Sequence, residues 1–105
     1  MITKFANADR IQSMIEGLDQ FTATPGAGTT RFTFSPEFRQ ASDYLRAKMQ
    51  EAGLVVREDA VGNLFGRLEG SNNHLEPILV GSHFDSVPNG GKFDGPAGVL
   101  SLIHI

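Results

Sequence analysis

His83, Asp85 and Asp94 are the residues whose types and spacing could do chemistry. They set an imidazole and two carboxylates around the glycine-rich stretch Gly81-Ser-His-Phe-Asp-Ser-Val-Pro-Asn-Gly-Gly-Lys-Phe-Asp-Gly95. Imidazole nitrogens and carboxylate oxygens are the donors a divalent cation such as zinc accepts. The run Ile78-Leu-Val-Gly-Ser82 predicts a short, fully buried strand of an α/β sheet, with His83 and Asp85 at its end. Side chains two apart on an extended segment share a face, so His83 and Asp85 point together while Phe84 turns away and packs. A metal-binding imidazole usually gives its second ring N–H to a carboxylate, which fixes the tautomer and raises ligand basicity, and Asp85 is placed for that support. Asp94 enters from the loop. Pro88-Asn-Gly-Gly-Lys92 turns the backbone tightly, and Pro96 reads as the first residue of a helix with Asp94 near its positive end. Together these residues make half of a metal site, because no Asp or Glu follows Asp94 and only His104 lies beyond it.

The elements that must position this half-site follow from periodicity. Ile11, Met14, Ile15, Leu18 and Phe21 recur at helical spacing and predict an amphipathic helix that starts near Asn7 or Asp9 and ends before Pro25. Residues 22–30, rich in Thr, Gly and Ala, read as a loop. Ser35 is placed as an N-cap with Pro36 at the first helical position. Phe38, Ala41, Leu45, Met49 and Ala52 form the buried stripe of that second helix, and Gly53 closes it. Residues 54–60 and 64–68 read as two strands joined through Val61-Gly62-Asn63. The order is helix, helix, strand, strand, strand and the start of a further helix, which argues for an α/β class.

Composition narrows the function classes. The 105 residues are 40% hydrophobic and 20% charged, with a formal net charge of -3. Such a chain holds one domain at most, and no basic cluster or basic-aromatic stripe favours nucleic acid. Cysteine is absent, which excludes a disulfide framework and a thiolate metal site. The first five residues lack the apolar core of a signal peptide, and no run approaches the ~20 apolar residues that span a bilayer. A cytoplasmic protein without membrane contact is the expectation.

Other polar residues have competing readings. Lys92 either meets an anionic substrate group or is solvated, the second reading being favoured. Arg31 supports the site region, caps a helix or pairs with an acid, and spacing does not choose among these. Asn63 reads as a turn residue tolerating a left-handed backbone and His74 as exposed, while Phe84 and Phe93 read as packing residues.

The segment Gly81-Ser-His-Phe-Asp85 with Gly90-Gly-Lys-Phe-Asp-Gly95 resembles the first metal-binding motif of a zinc-dependent amidohydrolase family. That family includes allantoate amidohydrolase, N-carbamoyl-L-amino-acid hydrolase and β-ureidopropionase, and is related to the di-zinc aminopeptidases. Thr30-Arg31, Ser35-Pro36-Glu37 and Val61-Gly-Asn-Leu-Phe-Gly-Arg67 occur in the family's order and at about its spacing. The resemblance covers nearly the whole chain but only the N-terminal part of a family member. It implies the N-terminal portion of a di-zinc aminopeptidase-like catalytic domain, without the rest of that domain or the dimerisation domain.

It implies further that His83 binds one metal, that Asp94 bridges two, and that Asp85 supports His83. His104 matches no family ligand. The cofactors implied for a full-length enzyme are two divalent ions, zinc or manganese, and the substrate is a small ureido compound such as allantoate or an N-carbamoyl-L-amino acid. Its C–N bond is hydrolysed with release of ammonia and carbon dioxide. A homodimer is implied for full-length members only. The glutamate base, the other carboxylate ligand and the further histidines of the family have no counterpart here, so the chain alone is expected to be inactive. Its apolar C-terminal run reads as a helix that is cut rather than finished. A reading of another class is a non-catalytic metal-binding or interaction fragment.

Overall fold

The computed structural model describes residues 6–104; residues 1–5 and 105, and the readings that fall on them, lie outside the described residues. The first helix, α1 (Ala8–Asp19), begins where Asn7 in extended backbone accepts the Arg10 N–H at 2.9 Å. Its apolar stripe buries Met14, Ile15 and Leu18, with Ile11 and Phe21 packed at the margin. The second helix, α2 (Pro36–Glu51), opens on the Ser35 hydroxyl, which accepts the Phe38 N–H at 3.1 Å, with Pro36 in the first turn. Gly53, at φ 83°, ends it in the left-handed conformation that glycine adopts without strain. Ala41, Leu45 and Met49 are buried as the stripe requires, but Ala52 is exposed, because it is the C-cap and lies past the last packed turn.

The chain then forms an antiparallel hairpin of β1 (Val55–Glu58) and β2 (Leu64–Arg67), with Val55 opposite Arg67 and Glu58 opposite Leu64. Asp59 holds the turn, accepting the backbone N–H groups of Val61 and Asn63 and the Asn63 side-chain amide. Asn63 is a turn residue as expected, but the left-handed position belongs to Gly62, at φ 86°. The third helix, α3 (Pro96–His104), starts at Pro96 as expected, packs against α1 and buries Val99, Leu100 and Ile103. The Asn7 N–H donates to His104 Nε2 at 3.0 Å, so the imidazole serves the start of α1. Among the described residues, three helices and a two-stranded sheet make an α/β arrangement.

The third expected strand does not form. Ile78, Leu79 and Val80 are 94%, 80% and 64% exposed, and residues 76–87 carry no regular secondary structure. A buried strand needs a hydrogen-bonded neighbour and covered faces, and the β1–β2 hairpin pairs only with itself. The chain is accordingly a slab of 46 × 36 × 19 Å. Its radius of gyration is 14.4 Å, against about 13 Å for a compact domain of this length. Phe93, expected to pack, is also exposed, with the Lys92 ammonium 5.7 Å from its ring centroid.

Two polar arrangements in this framework generate measurable consequences. Glu58 on β1 accepts from Arg39 at 2.7 Å and from Arg46 at 2.8 Å, tying α2 to the hairpin. The Arg39 hydrogen bond, with the charges of both arginines, holds the Glu58 carboxyl below the usual glutamate range. A depressed folded-state pKa means stabilisation that is complete above the unfolded value and lost as pH falls through and below about 4. Glu58→Gln should therefore be less stable than wild type at pH 7, and the difference should shrink as pH falls below about 4, as read by thermal melts across that range. On α2, the Ser42 hydroxyl is fully buried with no hydrogen-bond partner among the described residues. Removing an unsatisfied buried hydroxyl relieves a penalty of about 1 kcal/mol or more, so Ser42→Ala should raise the denaturant midpoint.

Candidate functional site

Two loops distant in sequence are stitched together to build the site. Thr29 and Gly90 exchange both backbone hydrogen bonds at 2.8 Å, and the Asn89 amide donates to the Ala27 carbonyl at 2.6 Å. The Asn89 N–H also reaches the Thr30 hydroxyl at 2.8 Å. Gly28, at φ 83°, sits where a Cβ would lie 2.8 Å from the Asn89 carbonyl carbon and oxygen, so only glycine permits this approach. On the α1 side the Thr29 hydroxyl donates to Asp19 Oδ1, and the Thr24 and Thr30 hydroxyls bond each other at 2.8 Å.

Arg31 is the centre of the stitching and is 1% exposed. Its Nε donates to the Phe84 carbonyl at 2.7 Å, and its Nη1 donates to the Leu18 carbonyl at 3.1 Å and the Phe21 carbonyl at 2.8 Å. Its own peptide is paired as well, the N–H to the Ser86 hydroxyl at 2.9 Å and the carbonyl to the Ser86 N–H at 2.9 Å. Burial draws the guanidinium below its ordinary pKa, against the opposing pull of Asp19 and Asp85. Of the three readings its spacing left open, the helix cap is met at the Leu18 carbonyl in the last turn of α1, and Arg31 also fixes the backbone beside Asp85.

His83 and Asp85 do share a side. His83 Nδ1 lies 3.1 Å from Asp85 Oδ1 and 3.2 Å from the Asp85 carbonyl, while Phe84 turns inward, 9% exposed, and stacks on Phe38 with ring centroids 4.4 Å apart. Both partners of Nδ1 are oxygen acceptors, so a neutral ring in this geometry carries its proton on Nδ1 and leaves the Nε2 lone pair as the available donor. The other carboxylate oxygen, Oδ2, accepts from the Thr33 hydroxyl at 3.3 Å. Asp94 immediately precedes Gly95, at φ 87°, whose backbone lies flat on His83. A Cβ there would meet the His83 carbonyl oxygen at 2.5 Å and ring Cε1 at 2.6 Å. Ser82 completes the junction by donating to the Gly95 carbonyl at 3.0 Å, which seats the start of α3 against the His83 segment.

The described residues alone do not make up the donor set of a metal ion. Among them no group of three or more His, Cys, Asp or Glu side chains could hold a metal, where a catalytic zinc takes three protein ligands. The structure brings His83 and Asp85 together and places the Gly95 backbone, which follows Asp94, beside His83. A hollow of about 240 Å³ is lined by Phe34, Phe38, Arg39, Glu58 and Val61 and not by His83, Asp85 or Asp94. Sequence reasoning missed Thr33 and Ser86, whose partners lie 52 and 55 residues away. The one available signal was Arg31, the only charged residue between Asp19 and Glu37.

Among the described residues no helix is long and apolar enough to cross a membrane. No protein-family model matches the chain. It is 52% identical over 104 residues to an N-carbamoyl-L-amino-acid amidohydrolase of Paenarthrobacter aurescens, covering 99% of this chain and 25% of that protein. It is 43% identical over 101 residues to the allantoate amidohydrolase of Escherichia coli K12, covering 96% of this chain and 24% of that protein. The crystal structure of a hydantoinase/carbamoylase family amidase from Burkholderia ambifaria superposes with a TM-score of 0.87 at 36% identity, over 93% of this chain and 24% of that one. The chain thus spans about a quarter of the length of the relatives it matches. Over that quarter it is a homologue of the N-carbamoyl-L-amino-acid and allantoate amidohydrolases and of the hydantoinase/carbamoylase family amidases.

Proposed function

We propose that these residues form the His83–Asp85–Asp94 part of a metal-dependent amidohydrolase that cleaves a linear ureido or amide C–N bond. The observation that carries this reading is the pairing of His83 Nδ1 with Asp85 Oδ1 at 3.1 Å, which frees Nε2 as a ligand. In this reading His83 and Asp94 are metal ligands and Asp85 orients His83. Two divalent ions, zinc or manganese, would supply a water made acidic enough to attack at neutral pH and would polarise the substrate carbonyl. The described residues bind and orient and do not move the proton to the leaving nitrogen, so the base and the remaining ligands must come from elsewhere in a complete enzyme. The substrate favoured by the relatives' names is a small ureido compound, allantoate or an N-carbamoyl-L-amino acid. A cytoplasmic location goes with such a metabolic role, as does a homodimer for a full-length enzyme.

The test is a chimera in which residues 1–105 replace the matching quarter of the Paenarthrobacter aurescens relative. The chimera should release ammonia from an N-carbamoyl-L-amino acid, and His83→Ala or Asp94→Ala should abolish the release. Asp85→Asn should cost about 10–100-fold in activity or metal affinity, the usual price of a lost outer-shell partner. A folded chimera whose activity survives His83→Ala would sink the proposal. The 105-residue chain by itself should release no ammonia from allantoate, with or without zinc or manganese. It should also bind zinc weakly by calorimetry, because its described residues offer fewer than three clustered ligands.

A further inference from the structure

We propose that the extended segment Arg31-Phe-Thr33 is the positioning element of the His83–Asp85 pair, an inference that rests on the metal-ligand reading of His83. Arg31 and Thr33 are two residues apart and act on the same target by different means. Arg31 takes the Phe84 carbonyl at 2.7 Å on one side of Asp85 and pairs its own peptide with Ser86 on the other. The backbone on both sides of Asp85 is therefore fixed to one buried side chain and its peptide. Thr33 acts on the carboxylate itself, donating to Oδ2 at 3.3 Å while Oδ1 faces His83 Nδ1. The Thr33 contact is longer than the 2.5–3.0 Å usual for a hydroxyl on oxygen, so Arg31 carries the larger share.

The arrangement bears on His83 because Asp85 is 45% exposed at its side chain and would otherwise be free to turn into solvent. A carboxylate that rotates away leaves Nδ1–H only the Asp85 carbonyl at 3.2 Å, the acceptor whose backbone Arg31 holds, and the tautomer is then fixed less firmly at Nδ1. Arginine suits the task where lysine does not. Its planar fork reaches three carbonyls from two segments at fixed angles, while an ammonium is a point charge on a flexible stem.

The test reads the His83 tautomer by imidazole nitrogen NMR in the metal-free 105-residue chain, at a pH where the ring is neutral. Wild type should show mainly Nδ1–H. Arg31→Lys should shift the ratio toward Nε2–H by about threefold or more, the size carried by one modest hydrogen bond, and Thr33→Val by less. Thr33→Ser should restore the wild-type ratio. A general loss of stability, produced by Leu45→Ala as a control, should leave the ratio of the folded molecules unchanged. A folded Arg31→Lys protein with the wild-type ratio overturns the positioning role; if that variant does not fold, an unchanged ratio in Thr33→Val does so. Nε2–H in wild type would instead remove the metal-ligand reading of His83, and the positioning role with it.

Discussion

A buried guanidinium bound to backbone carbonyls is the interaction on which the site depends. Arg31 is almost fully buried, and its hydrogen-bond partners are the carbonyls of Leu18, Phe21 and Phe84 rather than a carboxylate. Three charge-assisted bonds at roughly 1.5–3 kcal/mol each are of the same size as a desolvation penalty of several kcal/mol. The net stability gained is therefore small, and what the arrangement supplies is direction. An apolar side chain could fill the same volume but could not join the end of α1, the following loop and the His83–Asp85 segment at fixed angles. Asp19 and Asp85 add compensating negative charge from two sides.

This explains why the alternation of His83, Phe84 and Asp85 survives where the strand leading to it does not. Alternation is a property of extended backbone, and extension here is imposed by the Arg31–Ser86 pairing and by Phe84 stacking on Phe38. Sheet hydrogen bonds are not needed. The same economy operates at Gly28 and Gly95, where the missing side chain lets one backbone rest on another or on the imidazole. Local rules thus hold the pair in place although the neighbouring run Ile78–Leu79–Val80 has no strand beside it.

What was legible in the sequence was what local chemistry decides. Asn7, Ser35, Pro36, Gly53 and Pro96 mark helix ends because capping and proline geometry act within one turn, and α1, α2 and α3 follow them closely. The hairpin and the His83–Asp85 pairing belong to the same class, since each depends on residues a few positions apart. The strand at residues 78–82 was misread because apolarity reports a wish for burial and not the presence of a neighbour. Ala52 and Phe93 failed for the same reason. The roles of Thr33 and Ser86, and the Arg31 bond to Phe84, were hidden because the partners lie more than 50 residues away, where no periodicity reaches.

The open apolar run and the His83–Asp85 pair are contiguous. Ile78 to Val80 lead through Gly81 and Ser82 directly into His83, and Ser82 ties that junction to the start of α3. Backbone N–H and C=O groups along an exposed extended run accept a neighbouring strand readily, and 80% or more exposure of Ile78 and Leu79 makes such pairing favourable by apolar burial as well. On the proposed reading of His83 and Asp94 as metal ligands, covering the apolar run and completing the coordination shell would be one structural event, with the Arg31 clamp holding the His83–Asp85 pair on the near side.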